Sequence, residues 1–320
     1  MQEVLETCRD VARRSRHVII DEKALTRFCG RLIDREVTVS PWDWHHHFRG
    51  GEEETVAYLL VLDTLNFCFW PGACEKRWEI RYEGERLSGY LGLAACLKMA
   101  VEAGIPVTDA EYLARLSMEE FRQVLSGEGE LQLMERRLEA LRELGEILRR
   151  DYRGRASLLV ASAGKSSVKL TRLLAERLAS FRDVADYDGG RVLFYKRAQI
   201  VAADLNGALE GKGPGAFSDM DELTAFADYK LPQVLRHLGI LHYSPSLAQK
   251  VDDRVLIAAG SPEEVEIRAA TIVAVDMIRQ ELSRLGREYR AFEIDWILWN
   301  LGQSDEYRLR PYHRTVTVFY

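Results

Sequence analysis

Apolar residues recur every three to four positions through most of the 320-residue chain, and that period is the strongest constraint on how it can fold. In EVLETCRDVARRS the apolar positions are Val4, Leu5, Cys8, Val11 and Ala12. The same stripe runs through TVAYLLVLDTLNFC, YLGLAACLKMAVEAG, LMERRLEALRELGEILRR, SVKLTRLLAERLASF, EVEIRAATIVAVDMIRQELSRLG and EIDWILWNLG. Each stripe gives a helix one face to bury. Strand patterns are few. KRWEIRYEGERLSGY alternates around Trp78, Ile80 and Tyr82 across a Glu-Gly turn, which predicts a hairpin near 76–90; the β-branched TVTVFY is expected to pair with it or with HVII near residue 18. The expected fold class is mainly α with a small β appendage. Glycine and proline place loops at FRGGEEE, EAGIPVTDAE, YDGGR, EGKGPGAFSD and SPEE. A division near residue 153 gives a helical lobe over 1–153 that carries the hairpin and a second over 154–320, sharing one core, with an active site between them.

Composition narrows the function. A net charge of −6 and a pI of about 5.8 leave no overall field to draw a phosphate polymer, so no stable nucleic-acid partner is expected. No apolar run reaches the roughly 20 residues of a membrane span, and MQEVLETCRDVARR lacks the apolar stretch of a secretory leader, so a cytoplasmic location away from membranes is expected. Cys8, Cys29, Cys68, Cys74 and Cys96 match no zinc spacing and are expected as buried free thiols. The interleaved Glu and Arg of MERRLEALRELGEILRRDYRGR mark a solvated helix face rather than a basic patch. The pattern does not specify an oligomeric state.

In LTAFADYKLPQVLRHLGIL one carboxylate, Asp228, lies among apolar and aromatic neighbours. Leu223, Phe226, Ala227 and Lys230 form a short helical stripe that Pro232 interrupts. A second helix can open there and run to Gly239, which sets Asp228 at a helix–turn–helix corner. At that corner it faces the wrong end of the first helix dipole, between Phe226 and Tyr229, so something must offset its desolvation. Two readings follow: a capping or ion-paired Asp bonded to nearby N–H groups or to Lys230, or a carboxylate held unpaired to face positive charge developing in a substrate.

Three further stretches hold chemistry-bearing groups. In LDTLNFCFWPG, helical spacing aligns Asp63, Asn66 and Trp70 as a polar-aromatic stripe, suited either to stacking on a flat heterocycle or to lying satisfied in a core. In FYKRAQIVAADL, Lys196, Arg197 and Gln199 open an apolar helix, where cations oppose the dipole and suggest an anion such as a phosphate; EGKGPGAF lacks phosphate-loop spacing and reads as a turn. In IDWILWN, Asp295 sits among aromatics with Trp299 on the same face, and a ligand cation would satisfy it. WDWHHHFRG adds His45, His46 and His47, whose side chains diverge, so one of them at most faces a pocket and no metal is implied.

DTLNFCFW, SGY at 88–90, EAGIP, FYKRAQI, LEGKG, FADYKLPQVLRHLG, VEIR at 265–268, the run after Asp295 and PYHR at 311–314 together resemble the queuosine salvage family, from near residue 20 to Tyr320. The resemblance implies a fold similar to helix–hairpin–helix DNA glycosylases. It implies hydrolysis of the N-glycosidic bond of queuosine 5′-monophosphate, releasing queuine for tRNA modification with no cofactor or metal. Asp228, in the FADY motif, would stabilise the oxocarbenium-like ribose and orient the water. Phe226 would stack on the base, His47 would touch the substrate, and Asp295 would meet the base or its cationic aminomethyl-cyclopentenediol arm. Asn300 stands where the family pattern often has an acid. Lys196, Arg197 and Lys230 are candidates, by charge, for the 5′-phosphate, and Asn66, Trp70, Tyr229 and Trp299 complete the expected binding set. A 7-deazaguanine has carbon in place of N7, so the leaving base must be stabilised elsewhere on its edge. Two other readings stay open: a noncatalytic module that binds a modified nucleotide or tRNA, and a DNA-lesion glycosylase, against which stand the acidic pI and the lack of an LPGVG hairpin.

Overall fold

A 23-residue helix, Pro262–Arg284, is buried along most of its length. Ser261 starts it by accepting a hydrogen bond from the Glu264 N–H, and Pro262 occupies the first turn, where no N–H donor is required. It packs against helices Gln2–Arg14, Glu22–Asp34, Lys230–His237 and Ala291–Leu301. This is a computed structural model, and it describes residues 1–35, 37–72 and 76–320. A second buried helix, Glu52–Leu65, packs against Gly89–Glu102, Met134–Asp151 and Lys196–Ala208. Every residue from Thr55 to Leu65 is buried, so this helix is apolar on all sides and fits only inside a core. The mainly helical reading holds.

Among the described residues the β structure is three two-stranded antiparallel sheets. The expected hairpin forms from Glu79–Tyr82 and Glu85–Ser88, turning at Glu83 and Gly84. Val18–Ile20 pairs with Leu241–Tyr243. TVTVFY is not a strand: the Tyr320 carbonyl accepts from the Cys68 N–H and the Tyr320 hydroxyl donates to Glu264, so these ties hold the segment in place of a partner strand. YDGGR is not merely a loop either. It is the turn of a hairpin between Val184–Tyr187 and Gly190–Leu193, with Gly189 at φ +79° where a side chain would be strained.

Two large apolar clusters make most of the core among the described residues, and each draws on helices before and after residue 153. One joins Leu60, Leu93, Leu144, Val201 and Ile272; the other joins Phe28, Leu235, Ile267 and Ile294. Cys8, Cys29, Cys68 and Cys96 are buried free thiols, while Cys74 lies outside the described residues. No helix among the described residues is long and apolar enough to cross a membrane.

Candidate active site

Two adjoining chambers share Asn66, Tyr90, Lys196, Asp228 and Trp299 in their walls. The smaller, of about 340 Å3, is edged by cations: Arg77, Lys230, Arg254, Arg308 and Arg314 join Lys196 there. The larger, of about 1030 Å3, is aromatic and acidic, with Trp42, His47, Phe226, Phe292 and Trp296 beside Asp204 and Asp295. Gly207 lets two of those rings close in, since a Cβ there would stand 3.1 Å from Trp42 and 3.2 Å from Trp296.

Asp228 sits where the chambers meet, 9% exposed. The segment Leu223–Asp228 is irregular rather than helical, so the expected corner does not form; Asp228 instead precedes the Lys230–His237 helix, with Pro232 in its first turn. Its Oδ1 accepts the N–H groups of Lys230 at 2.7 Å and Leu231 at 2.9 Å, on the favourable side of the helix dipole. Its Oδ2 makes no hydrogen bond among the described residues. The capping and the functional readings therefore fall on different oxygens of one carboxylate. Burial pushes its pKa up, opposed by Lys196 and the two helix N–H groups.

Lys196 opens the Lys196–Ala208 helix behind Tyr195, whose φ of +50° is rare for a residue with a side chain. Burial lowers the Lys196 pKa while Asp228 and Asp63 raise it. The backbones carrying Lys196 and Asp228 are tied to one buried ion pair. Asp183 accepts the Lys196 N–H at 3.1 Å and both Arg268 Nη atoms at 2.9 and 2.6 Å, and Arg268 Nε donates to the Ala227 carbonyl at 3.1 Å.

Around Lys196 the acids outnumber the cation. Asp295 accepts from the Phe226 N–H at 2.7 Å, fixing the aromatic wall, and burial next to Asp228 drives its pKa well up. Asp204 is pushed up to about 7 by burial, with Tyr90 and Lys196 pulling the other way. Asp63, on the Glu52–Leu65 helix, is driven well up by burial and by Asp204, with the nearby Asn66 amide opposing, and neither of its oxygens completes a hydrogen bond among the described residues. Among the described residues, no three His, Cys, Asp or Glu converge as a metal site.

Sequence reasoning placed several residues elsewhere. The Glu52–Leu65 helix stops one residue before Asn66, so the Asp63–Asn66–Trp70 stripe does not exist; Trp70 packs with Phe67 and Cys68 and itself lines neither chamber. Arg197 also lies outside them, its guanidinium donating to the carbonyls of Asp63, Thr64 and Ser180. Tyr229 lines only the cationic chamber and packs on Tyr312, with ring centroids 4.8 Å apart. Lys230 lines that chamber too, its pKa lowered by burial to about 8. Phe226, His47, Asp295 and the exposed Asn300 line the larger one. Of the three histidines His47 alone lines a chamber; His46 pairs with Asp43.

A family model described as Queuosine salvage protein matches residues 46–320. The chain belongs to the queuosine salvage protein family. Its relatives in that family include a protein of Sphaerobacter thermophilus, 47% identical over 317 residues that cover 99% of this chain and 97% of that protein. A Mus musculus relative is 36% identical, covering 98% of each chain, and a Schizosaccharomyces pombe relative is 29% identical over 99% of this chain and 96% of its own. All three are named queuosine 5′-phosphate N-glycosylase/hydrolase. Within this queuosine salvage chain the residues that sequence reasoning passed over are Asp204, Tyr90 and the arginines. Asp204 had a signal, since Lys196, Ile200 and Asp204 stand at four-residue spacing on one face of a helix and all line the larger chamber. Arg77, Arg254 and Arg308 had none, being brought together only by the fold, and Arg314 lay in the PYHR run without a role assigned to it.

Proposed function

We propose that this chain is a hydrolase that cleaves the N-glycosidic bond of queuosine 5′-phosphate and releases queuine for reuse in tRNA modification. The observation that carries this is the placement of Asp228 in the shared wall of a cationic and an acidic-aromatic chamber. A nucleotide laid across that wall puts its phosphate among Arg77, Arg308 and Lys230, its base beside Phe226, and its glycosidic bond next to Asp228.

As the bond lengthens, positive charge grows on the ribose, and the uncapped Oδ2 of Asp228 faces it and orients the attacking water. Burial raises the Asp228 pKa, and Lys196 pulls it back down. The cationic arm of the base meets Asp295 in the larger chamber, which supplies the charge that this buried acid lacks. His47, with its pKa lowered by burial to about 4, meets the substrate as a neutral imidazole. The scaffold, in this proposal, is a helix–hairpin–helix glycosylase-like body divided near residue 153.

Incubating the protein, with chelator present, with queuosine 5′-phosphate, the nucleoside and GMP tests the reading by chromatography of free base and ribose 5-phosphate. Release from the modified monophosphate supports it. Tight binding without release from any of the three would favour a noncatalytic binding module.

A further inference from the structure

The Asp43 carbonyl, His47, Tyr90 and Asp204 form a part-buried hydrogen-bonded chain with too few protons for its contacts unless one acid group holds an extra one. His47 Nδ1 lies 2.7 Å from the Asp43 carbonyl oxygen, which can only accept, so Nδ1 carries a hydrogen. The Tyr90 hydroxyl lies 2.9 Å from His47 Nε2 and 3.1 Å from Asp204 Oδ2, and a phenol has one proton for these two contacts. If Tyr90 donates to Asp204, Nε2 must also be protonated and the ring is an imidazolium. If Tyr90 donates to His47, Asp204 must bring the proton as a neutral carboxylic acid. Either arrangement stores one dissociable proton; burial, which lowers His47 to about 4 and raises Asp204 to about 7, places it on Asp204.

We propose that Asp204, which lines the base chamber, is the general acid that protonates the departing base, with Tyr90 and His47 as positioning residues that hold its proton. This rests on the glycosylase reading above, and it answers how a base lacking N7 can leave. The bond between C1′ and the base nitrogen breaks with its electron pair going to the base, and the base takes the Asp204 proton. Water adds to C1′ as it gives a proton to Asp228, and solvent returns that proton to Asp204 for the next cycle. The groups facing Asp204 are Asp63 and Tyr58 from the Glu52–Leu65 helix, Tyr90 from Gly89–Glu102, Lys196 from its own helix and Asp295 from Ala291–Leu301. Asp43, His46 and Lys98 face His47. Since the acid form is required, turnover falls as pH rises through about 7.

The test compares queuosine 5′-phosphate with the 4-nitrophenyl riboside 5-phosphate, whose leaving group needs no proton. Asp204→Asn should lose at least about 100-fold in kcat on the first, stay within about threefold on the second, and lose the fall above pH 7. Tyr90→Phe, which leaves the carboxyl in place, should shift that alkaline limb and lower kcat with KM unchanged. Equal losses on both substrates, no loss on either, or an unaltered alkaline limb in both variants would overturn the assignment. Wild-type protein inert toward queuosine 5′-phosphate would overturn the glycosylase reading itself, and the general acid with it.

Discussion

Two buried charge clusters, joined through the backbone at Lys196 and Ala227, are built oppositely. In the first, Asp183, Glu264 and Arg268 satisfy one another: Asp183 grips the guanidinium with both oxygens, Glu264 accepts from the Tyr320 hydroxyl and the Gly260 N–H, and the Phe194 ring lies 3.9 Å from the cation. In the second, Lys196 faces four acids, Asp63, Asp204, Asp228 and Asp295, and the Asp63 oxygens have no hydrogen-bond partner among the described residues. The first is a satisfied ion pair that holds backbone; the second keeps an excess of buried acids beside one lysine. The first cluster positions the second, through the Lys196 N–H and the Ala227 carbonyl.

Breaking the paired cluster should do the most damage to the fold. Arg268→Ala leaves Asp183 charged and buried, and should cost about 3–5 kcal/mol of stability by denaturant unfolding. A loss below about 1 kcal/mol would show that the pair is not what holds these segments.

The unpaired cluster should respond in the other direction. Folding raises Asp204 from an ordinary 3.8 to about 7, so the folded chain keeps a proton that the unfolded chain releases; that contribution is present below pH 3.8 and is lost as pH rises toward 7. Asp204→Asn should flatten this decline, gaining about 4 kcal/mol relative to wild type between those limits in paired unfolding curves. A steeper decline in the variant would mean that the carboxyl is ionised and stabilising.

The smallest effect belongs to the cationic chamber. Arg308→Ala, at a half-exposed position, should raise KM for queuosine 5′-phosphate about fivefold, less at high salt, and leave the nucleoside's KM unchanged. An equal change for both would remove the phosphate from that chamber.

The helices were legible because burial on one face imposes a period, and the Asp228, Lys196 and Asp295 motifs were legible because charge inside an apolar run needs a reason. What the sequence hid was long-range. TVTVFY carries strand propensity, but its ties to Cys68 and Glu264 are set by tertiary contacts that no local pattern encodes. Trp70 followed a helical count that ended at Leu65, and Arg197 looked like its neighbour Lys196 although adjacent helical positions point about 100° apart, one into the chambers and one into backbone carbonyls.

The most direct measurement is Asp228→Asn, assayed for turnover, for binding of queuosine 5′-phosphate by calorimetry and for unfolding. Turnover should fall at least about 1000-fold while affinity and stability stay within about 1 kcal/mol of wild type, since the amide oxygen still caps the Lys230 and Leu231 N–H groups. Turnover, affinity and stability falling together would make Asp228 a structural cap and contradict its place at the reacting bond.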